Sequence, residues 1–340
     1  MNLVDAISKP NLNNTQTNIA PQKAEPQVNL TQQADVVDLS TKKNSNKTWI
    51  IGAVALGAVG ILAGAYALIK KGQLPQEIKQ MQKGADEMFE TYQTVLKNAT
   101  DLANEAKEKA EKLKAEVMEL FTNNGQRNGQ QVAEIVDNDG IKVMRELFED
   151  GTLKRKSLFD DGKVFSITEF GKKEDIYKFD ENGSLKRFMK GYQKINDNLT
   201  RAEKVVQFEN GLITRYIENI KKFENGYKVE KELTFRNGVA SDYIESAKYL
   251  GTSADIKKFL FVKDGKISGY CENLVIDDKN EIWTSEKVLK YSNGQSSEYC
   301  RNYKILADGT ETAKLHVELK DGKIIKTTKN YVEKPKINKE

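Results

Sequence analysis

Three periodicities of apolar residues succeed one another along this chain, and each predicts a different element. From Thr48 to Ile69 the sequence reads TWIIGAVALGAVGILAGAYALI, with no charge inside and lysines at both edges (Lys42, Lys43, Lys47, then Lys70, Lys71). About 20 apolar residues rising ~1.5 Å each match the hydrocarbon core of a bilayer. Residues 48–69 are therefore predicted as a transmembrane helix, with Trp49 and Tyr66 near the interfaces that such rings prefer. Ala53, Gly57, Gly60, Gly64 and Ala67 recur at steps of 4 and 3, a small-residue stripe that lets a second helix approach closely.

The second pattern is a heptad. After Pro75, which suits a first-turn position, Lys, Glu, Gln and Ala dominate as far as Phe121. Leu74, Ile78, Met81, Ala85, Met88, Tyr92, Val95, Ala99, Leu102 and Ala106 alternate steps of 4 and 3. The series resumes at Ala110, Leu113, Val117 and Leu120 after a stutter. Residues 74–121 are read as a helical stalk that associates with copies of itself as a coiled coil. The alternative, a helix lying back on the region that follows, is set second because the stripe is narrow and rich in alanine.

From about Ile135 the period becomes two, and Asn-Gly and Asp-Gly turns punctuate the chain. Four copies of a sixteen-residue unit begin at Lys204, Lys231, Lys258 and Lys287, spaced 27, 27 and 29 residues apart, and share K-x-[VL]-x-[FVY]-x-[ND]-G-x-x-[ST]-x-Y-x-[ER]-[NS]. Degenerate copies at 175–191 and 315–330 flank them, as capping of an array predicts. Each unit reads as a hairpin. With Glu209-Asn210-Gly211 as a three-residue turn, Phe208 faces Leu212 and Lys204 faces Tyr216. The same arithmetic sets Lys231 by Tyr243, Lys258 by Tyr270 and Lys287 by Tyr299. Two readings of this ladder compete: tyrosine rings forming a core beneath lysine stems, or an exposed face for a glycan or acidic peptide.

Composition narrows the chemistry. Residues 1–47 lack Phe, Trp and Tyr and hold three of the five prolines, so they read as a disordered polar tail. With 54 basic and 50 acidic residues the chain is too balanced to argue for nucleic acid. The only histidine is His316, and the only cysteines are Cys271 and Cys300. Zinc sites built from three or four Cys and His ligands are nearly excluded on that count. Neither a catalytic constellation nor a cofactor motif is expected. The two cysteines hold equivalent positions in neighbouring copies, ~9.6 Å apart in a plain meander, which exceeds the ~7 Å limit for a disulfide. Free thiols are therefore expected, and a bridge would indicate a stacked solenoid.

The FENG, FRNG and YSNG turns resemble those of MORN-like arrays and of the Tyr-x-Asn-Gly hairpin repeats of bacterial antitoxin-component-like proteins. The resemblance covers about residues 145–330. The 27-residue period is longer than in those families, and the glycine-rich second half of a MORN unit is missing. It implies a β-meander used for protein or membrane contacts and no catalytic residue.

The fold class expected is α plus all-β: a single transmembrane helix, a long coiled-coil-like helix, then an antiparallel β-meander of about six hairpin repeats. Residues 122–134 form a linker, 135–333 the repeat domain and 334–340 a tail. The run at 48–69 starts too late for an ordinary cleaved signal and reads as a retained signal-anchor. The C-terminal domain is then expected on the exported side, periplasmic or extracellular. The function expected is a non-enzymatic, membrane-anchored scaffold. Its partners would be the lipid bilayer, other copies through 53–67 and 74–121, and an unidentified protein. The alternative is a polymer-binding module using Tyr216, Tyr243, Tyr270 and Tyr299 with Lys204, Lys231, Lys258 and Lys287.

Overall fold

The computed structural model describes residues 73–335. The predicted membrane segment and its stripe from Ala53 to Ala67 lie outside the described residues, as does the polar tail. Among the described residues no helix is long and apolar enough to cross a membrane.

The helix α1 (Gln73–Thr122) starts where Pro75 can occupy the first turn and continues through strong helix formers. It ends in a Schellman motif. Asn124 is left-handed (φ 51°), and the Gly125 amide donates to Leu120 O at 2.8 Å, closing the last turn.

The expectation of a free coiled-coil stalk is corrected here. All fourteen heptad positions, from Leu74 to Leu120, are 5% exposed or less. What covers them is the β region of the same chain: the Tyr92 ring lies 6.3 Å from Tyr243, and Phe121 stacks on Phe159 at 4.0 Å. The reason is size complementarity. The strands project large rings, and a helix whose stripe mixes alanine with larger residues leaves space to receive them. An alanine-rich stripe therefore fits an aromatic sheet as well as it fits another helix, and the surface assigned to self-association is already occupied.

Sixteen strands, β3 (Ala133–Asn138) to β18 (Lys323–Glu333), form one sheet in strict chain order. A separate hairpin, β1 (Gln126–Arg127) with β2 (Gln130–Gln131), occupies the stretch read as linker. The chain divides into two compact units. One comprises residues 85–274; the other, among the described residues, comprises 73–84 and 275–335.

The hairpin register also differs from expectation. Glu209 at the end of β9 (Leu199–Glu209) pairs with Leu212 at the start of β10 (Leu212–Phe223), leaving a two-residue turn in which Asn210 (φ 50°) and Gly211 (φ 76°) are both left-handed. That is a type I′ turn, whose twist matches the flanking strands. A bulge between Ile213 and Arg215 then shifts the ladder, so Tyr216 faces Val206 and Lys204 faces Glu218. Lysine thus meets glutamate across the strands, where tyrosine had been expected.

One feature of the repeat had no explanation in the sequence. Asn219, Ser246, Asn273, Asn302 and Asn330, at the last position of successive units, all have φ between 48° and 57° within strands. Tyr249, six residues after Tyr243, would share its face in an unbroken strand. Beyond Ser246 its hydroxyl instead donates to Glu232, the neighbour of Leu233, which itself pairs with Tyr243. Asparagine tolerates the left-handed region better than most residues, which accounts for its recurrence there.

Candidate functional site

In the unit formed by residues 85–274, β3 is the terminal strand of the sheet, and among the described residues its outer edge pairs with no other strand, although at its start Ala133 donates to Gly125 O at 3.0 Å and accepts from Gln131 Nε2. Beside it opens a cleft of about 1280 Å³ lined by Phe121, Ile135, Leu147 and Phe148. Phe148 and Leu147 are 47% and 45% exposed, and Val136 and Ile141 are also exposed. The charged lining groups are Glu134, Asp137 and Glu149 against Lys142, so the cleft carries an acidic excess.

A buried ionic cluster holds this edge in place. Glu146, at the end of β4 (Ile141–Leu147), is 2% exposed and pairs in register with Ala133 of the edge strand. Its carboxylate accepts from Lys154 at 2.9 Å and from Arg127 of β1 at 3.3 Å. The Arg155 guanidinium is 3.5 Å away and itself donates to Glu116 of α1 at 3.2 Å. Burial alone would raise the Glu146 pKa; the Lys154 hydrogen bond, reinforced by the charges of Arg155, Lys154 and Arg127, outweighs it and lowers the group. The end of the helix, the small hairpin and the first strands are thus tied at one carboxylate.

The tyrosine ladder proposed as a ligand face is not open. Tyr216, Tyr243, Tyr270 and Tyr299 are all 0% exposed. The first three hydroxyls donate to Glu218, Glu245 and Glu272, two residues further along each strand, at 2.8, 3.1 and 3.1 Å. Burial, with those carboxylates, raises the tyrosine pKa values. Lys231 and Lys258 reach Glu218 and Glu245 of the neighbouring strand at 3.6 and 3.8 Å. These groups build the core.

In the other unit a second cluster forms on β16 (Gln295–Ile305) and β17 (Glu311–Lys320). Cys300 pairs with His316 across the strands, and one ligand atom from each of Glu298, Cys300 and His316 lies within 4.8 Å of the others. The His316 Nε2 is 3.3 Å from Glu298 Oε2, and its ring stacks on Tyr331 at 4.0 Å. The His316 contact pulls Glu298 down to about 2; Lys290 assists against the opposing effect of burial. Both cysteines are buried, and neither forms a disulfide. Counting ligand types along the sequence missed this triad, because it needs a carboxylate and a strand sixteen residues away. The signal available was the register that sets Cys300 opposite His316.

No protein-family model matches the chain, and no curated protein matches it. One solved structure, described as a porin-like protein from Bacteroides uniformis, aligns with 59% of this chain and 94% of its own at 10% identity and a TM-score of 0.12. So low a score carries no argument about fold or function.

Proposed function

We propose that this chain is a non-enzymatic interaction protein associated with a membrane, which captures an extended segment of a partner protein along the free edge of β3. The observation that carries the reading is the cleft beside that strand. An unpaired strand edge offers main-chain donors and acceptors for a further strand, and the exposed Val136, Leu147 and Phe148 offer contacts for alternate side chains. The acidic excess of the lining favours a segment in which apolar residues alternate with basic ones. Support for membrane association comes from the uncharged run at 48–69. The β region belongs on the exported side in this reading.

The test places a photo-crosslinking residue at Phe148, with Val239 as an exposed control far along the chain. A discrete adduct at position 148, absent at 239 and lost on Val136→Lys, is the expected outcome, since a charge on an edge strand opposes strand addition. Equal labelling at both positions, or an adduct indifferent to Val136→Lys, rules out edge capture. Recovery of the full chain in the aqueous fraction without detergent removes the membrane component. Resistance of the β region to protease added to cells stripped of their outer envelope, with cleavage once the membrane is lysed, removes the exported orientation.

A further inference from the structure

We propose that Glu298, Cys300 and His316 form a binding site for a zinc-class divalent transition-metal ion. The argument starts from ligand chemistry. A thiolate, an imidazole and a carboxylate are the three donor types that tetrahedral Zn²⁺ sites use, and three protein ligands leave a fourth position for water. Here one donor atom of each lies within 4.8 Å of the others, so a modest contraction brings all three around one ion.

Several independent features favour this over an ordinary core packing. His316 is only 3% exposed, yet its Nδ1 has no hydrogen-bond partner, an uncommon condition for a buried imidazole. Tyr331 stacks on the ring at 4.0 Å and restricts the orientation of its plane. The carboxylate side is the accessible one: the Glu298 side chain is 35% exposed, whereas Cys300 is fully buried, so an ion has an entry path.

The neighbouring cation is held most closely by a carboxylate outside the triad. Lys290 lies 3.4 Å from Glu298 but 2.7 Å from Glu311, which is 4% exposed and holds the ammonium in place. Charge supports the assignment as well. Glu298 and Glu311 against Lys290 leave the cluster at −1 with Cys300 as thiol. Binding a divalent ion with release of the thiol proton brings the total to zero, a balance suited to a buried location.

The experiment uses the purified full-length chain titrated with Co²⁺. The chain holds one histidine and two cysteines, so a thiolate-to-cobalt charge-transfer band arises only from Cys271 or Cys300. The expected result is such a band saturating at one equivalent, displaced by Zn²⁺, retained in Cys271→Ser and abolished in Cys300→Ser. Glu298→Gln and His316→Asn weaken binding at least about 10-fold. The absence of a thiolate band in the unsubstituted protein overturns the proposal whatever the variants do. So does a band that survives Cys300→Ser. Should Cys300→Ser fail to fold, an unchanged affinity in folded His316→Asn overturns it too.

Discussion

Glu77 on the helix accepts a 2.8 Å hydrogen bond from Arg301 on β16, and through it takes the place of a strand glutamate that the fourth repeat lacks. In the three earlier copies the residue two beyond the tyrosine is Glu218, Glu245 or Glu272, and it accepts from the tyrosine hydroxyl. In the fourth that position is Arg301, and the Glu77 carboxylate comes from the helix, 3.8 Å from Lys287 as well. The buried Tyr299 then has a carboxylate nearby, and its pKa is raised by burial and by Glu77. The array therefore keeps a carboxylate beside the tyrosine and the lysine where its own sequence departs from the pattern, although the Tyr299 hydroxyl makes no hydrogen bond among the described residues.

This relationship predicts a charge-swap result. Glu77→Ala removes the carboxylate to which Arg301 donates and should cost about 2 kcal/mol in denaturant unfolding. Arg301→Glu sets two carboxylates together and should cost at least as much. Combining Arg301→Glu with Glu77→Lys should recover most of the loss. If the double variant is no better than the summed losses of Arg301→Glu and Glu77→Lys measured singly, the two side chains do not interact energetically.

The repeated tyrosines should separate hydroxyl from ring. Tyr243→Phe removes a hydrogen bond to a partly accessible carboxylate and should cost about 1 kcal/mol. Tyr243→Ala opens a cavity beneath the helix and should cost about 3–5 kcal/mol. Equal losses would mean that the ring contributes nothing, contrary to its complete burial beside Tyr92.

The left-handed strand residues give a backbone test. Ser246 sits at φ 57°, where a β-branched side chain is strained. Ser246→Val should destabilise by about 1–2 kcal/mol, while Ser246→Asn, which copies Asn219 and Asn273, should be neutral or slightly stabilising. A tolerated valine would show that the kink is not a conformational requirement of the repeat.

The antiparallel hairpin array was legible in the sequence, the coiled-coil stalk expected before it was wrong, and the misreadings share a cause. The positions of the turns could be read because Asn210-Gly211 and its counterparts mark them by local backbone chemistry, but their length was read one residue too long. The period of two placed Tyr216 and Tyr243 on one face, but it left open whether that face was core or ligand surface; their complete burial comes from the structure. The register could not be read: the bulge after Ile213 adds a residue that no side-chain pattern announces. The partner of the heptad stripe was equally hidden, since Ala85 and Ala99 suit a helix or a sheet alike. The edge cleft and the cluster of Glu298, Cys300 and His316 depend on strands adjacent in space, so counting residue types passed over them.

The Glu146 cluster predicts acid sensitivity at the sheet edge. Its folded pKa lies below the ordinary value of 4.5, so its contribution to stability is complete above that value. The contribution is lost as pH falls through 4.5 toward the lowered folded value. Glu146→Gln should cost about 3 kcal/mol at neutral pH, because Arg155, only 5% exposed, loses its main buried counter-charge. The difference between wild type and variant should narrow between pH 5 and pH 3 in unfolding measurements. A gap that stays constant over that range would assign the loss to packing.

A single substitution distinguishes the helix-on-sheet arrangement from a coiled coil, because the two demand opposite responses. Ala99 is 0% exposed and occupies a heptad position. In a helix-helix seam, leucine at such a position fills the interface and strengthens association. Against the β region there is no room for three more carbons, so Ala99→Leu must push the helix outward or force off-rotamer side chains. The expected cost is about 1–3 kcal/mol. The same reasoning applies to Ala85 and Ala110, also 0% exposed, while a leucine at the exposed Thr94 should change little. Unfolding midpoints read the stability, and sedimentation reads the oligomeric state of the same samples. Stabilisation accompanied by a larger assembly would mean that the stripe meets a second helix in solution. Destabilisation without a change in mass is what a helix already seated on its own sheet requires.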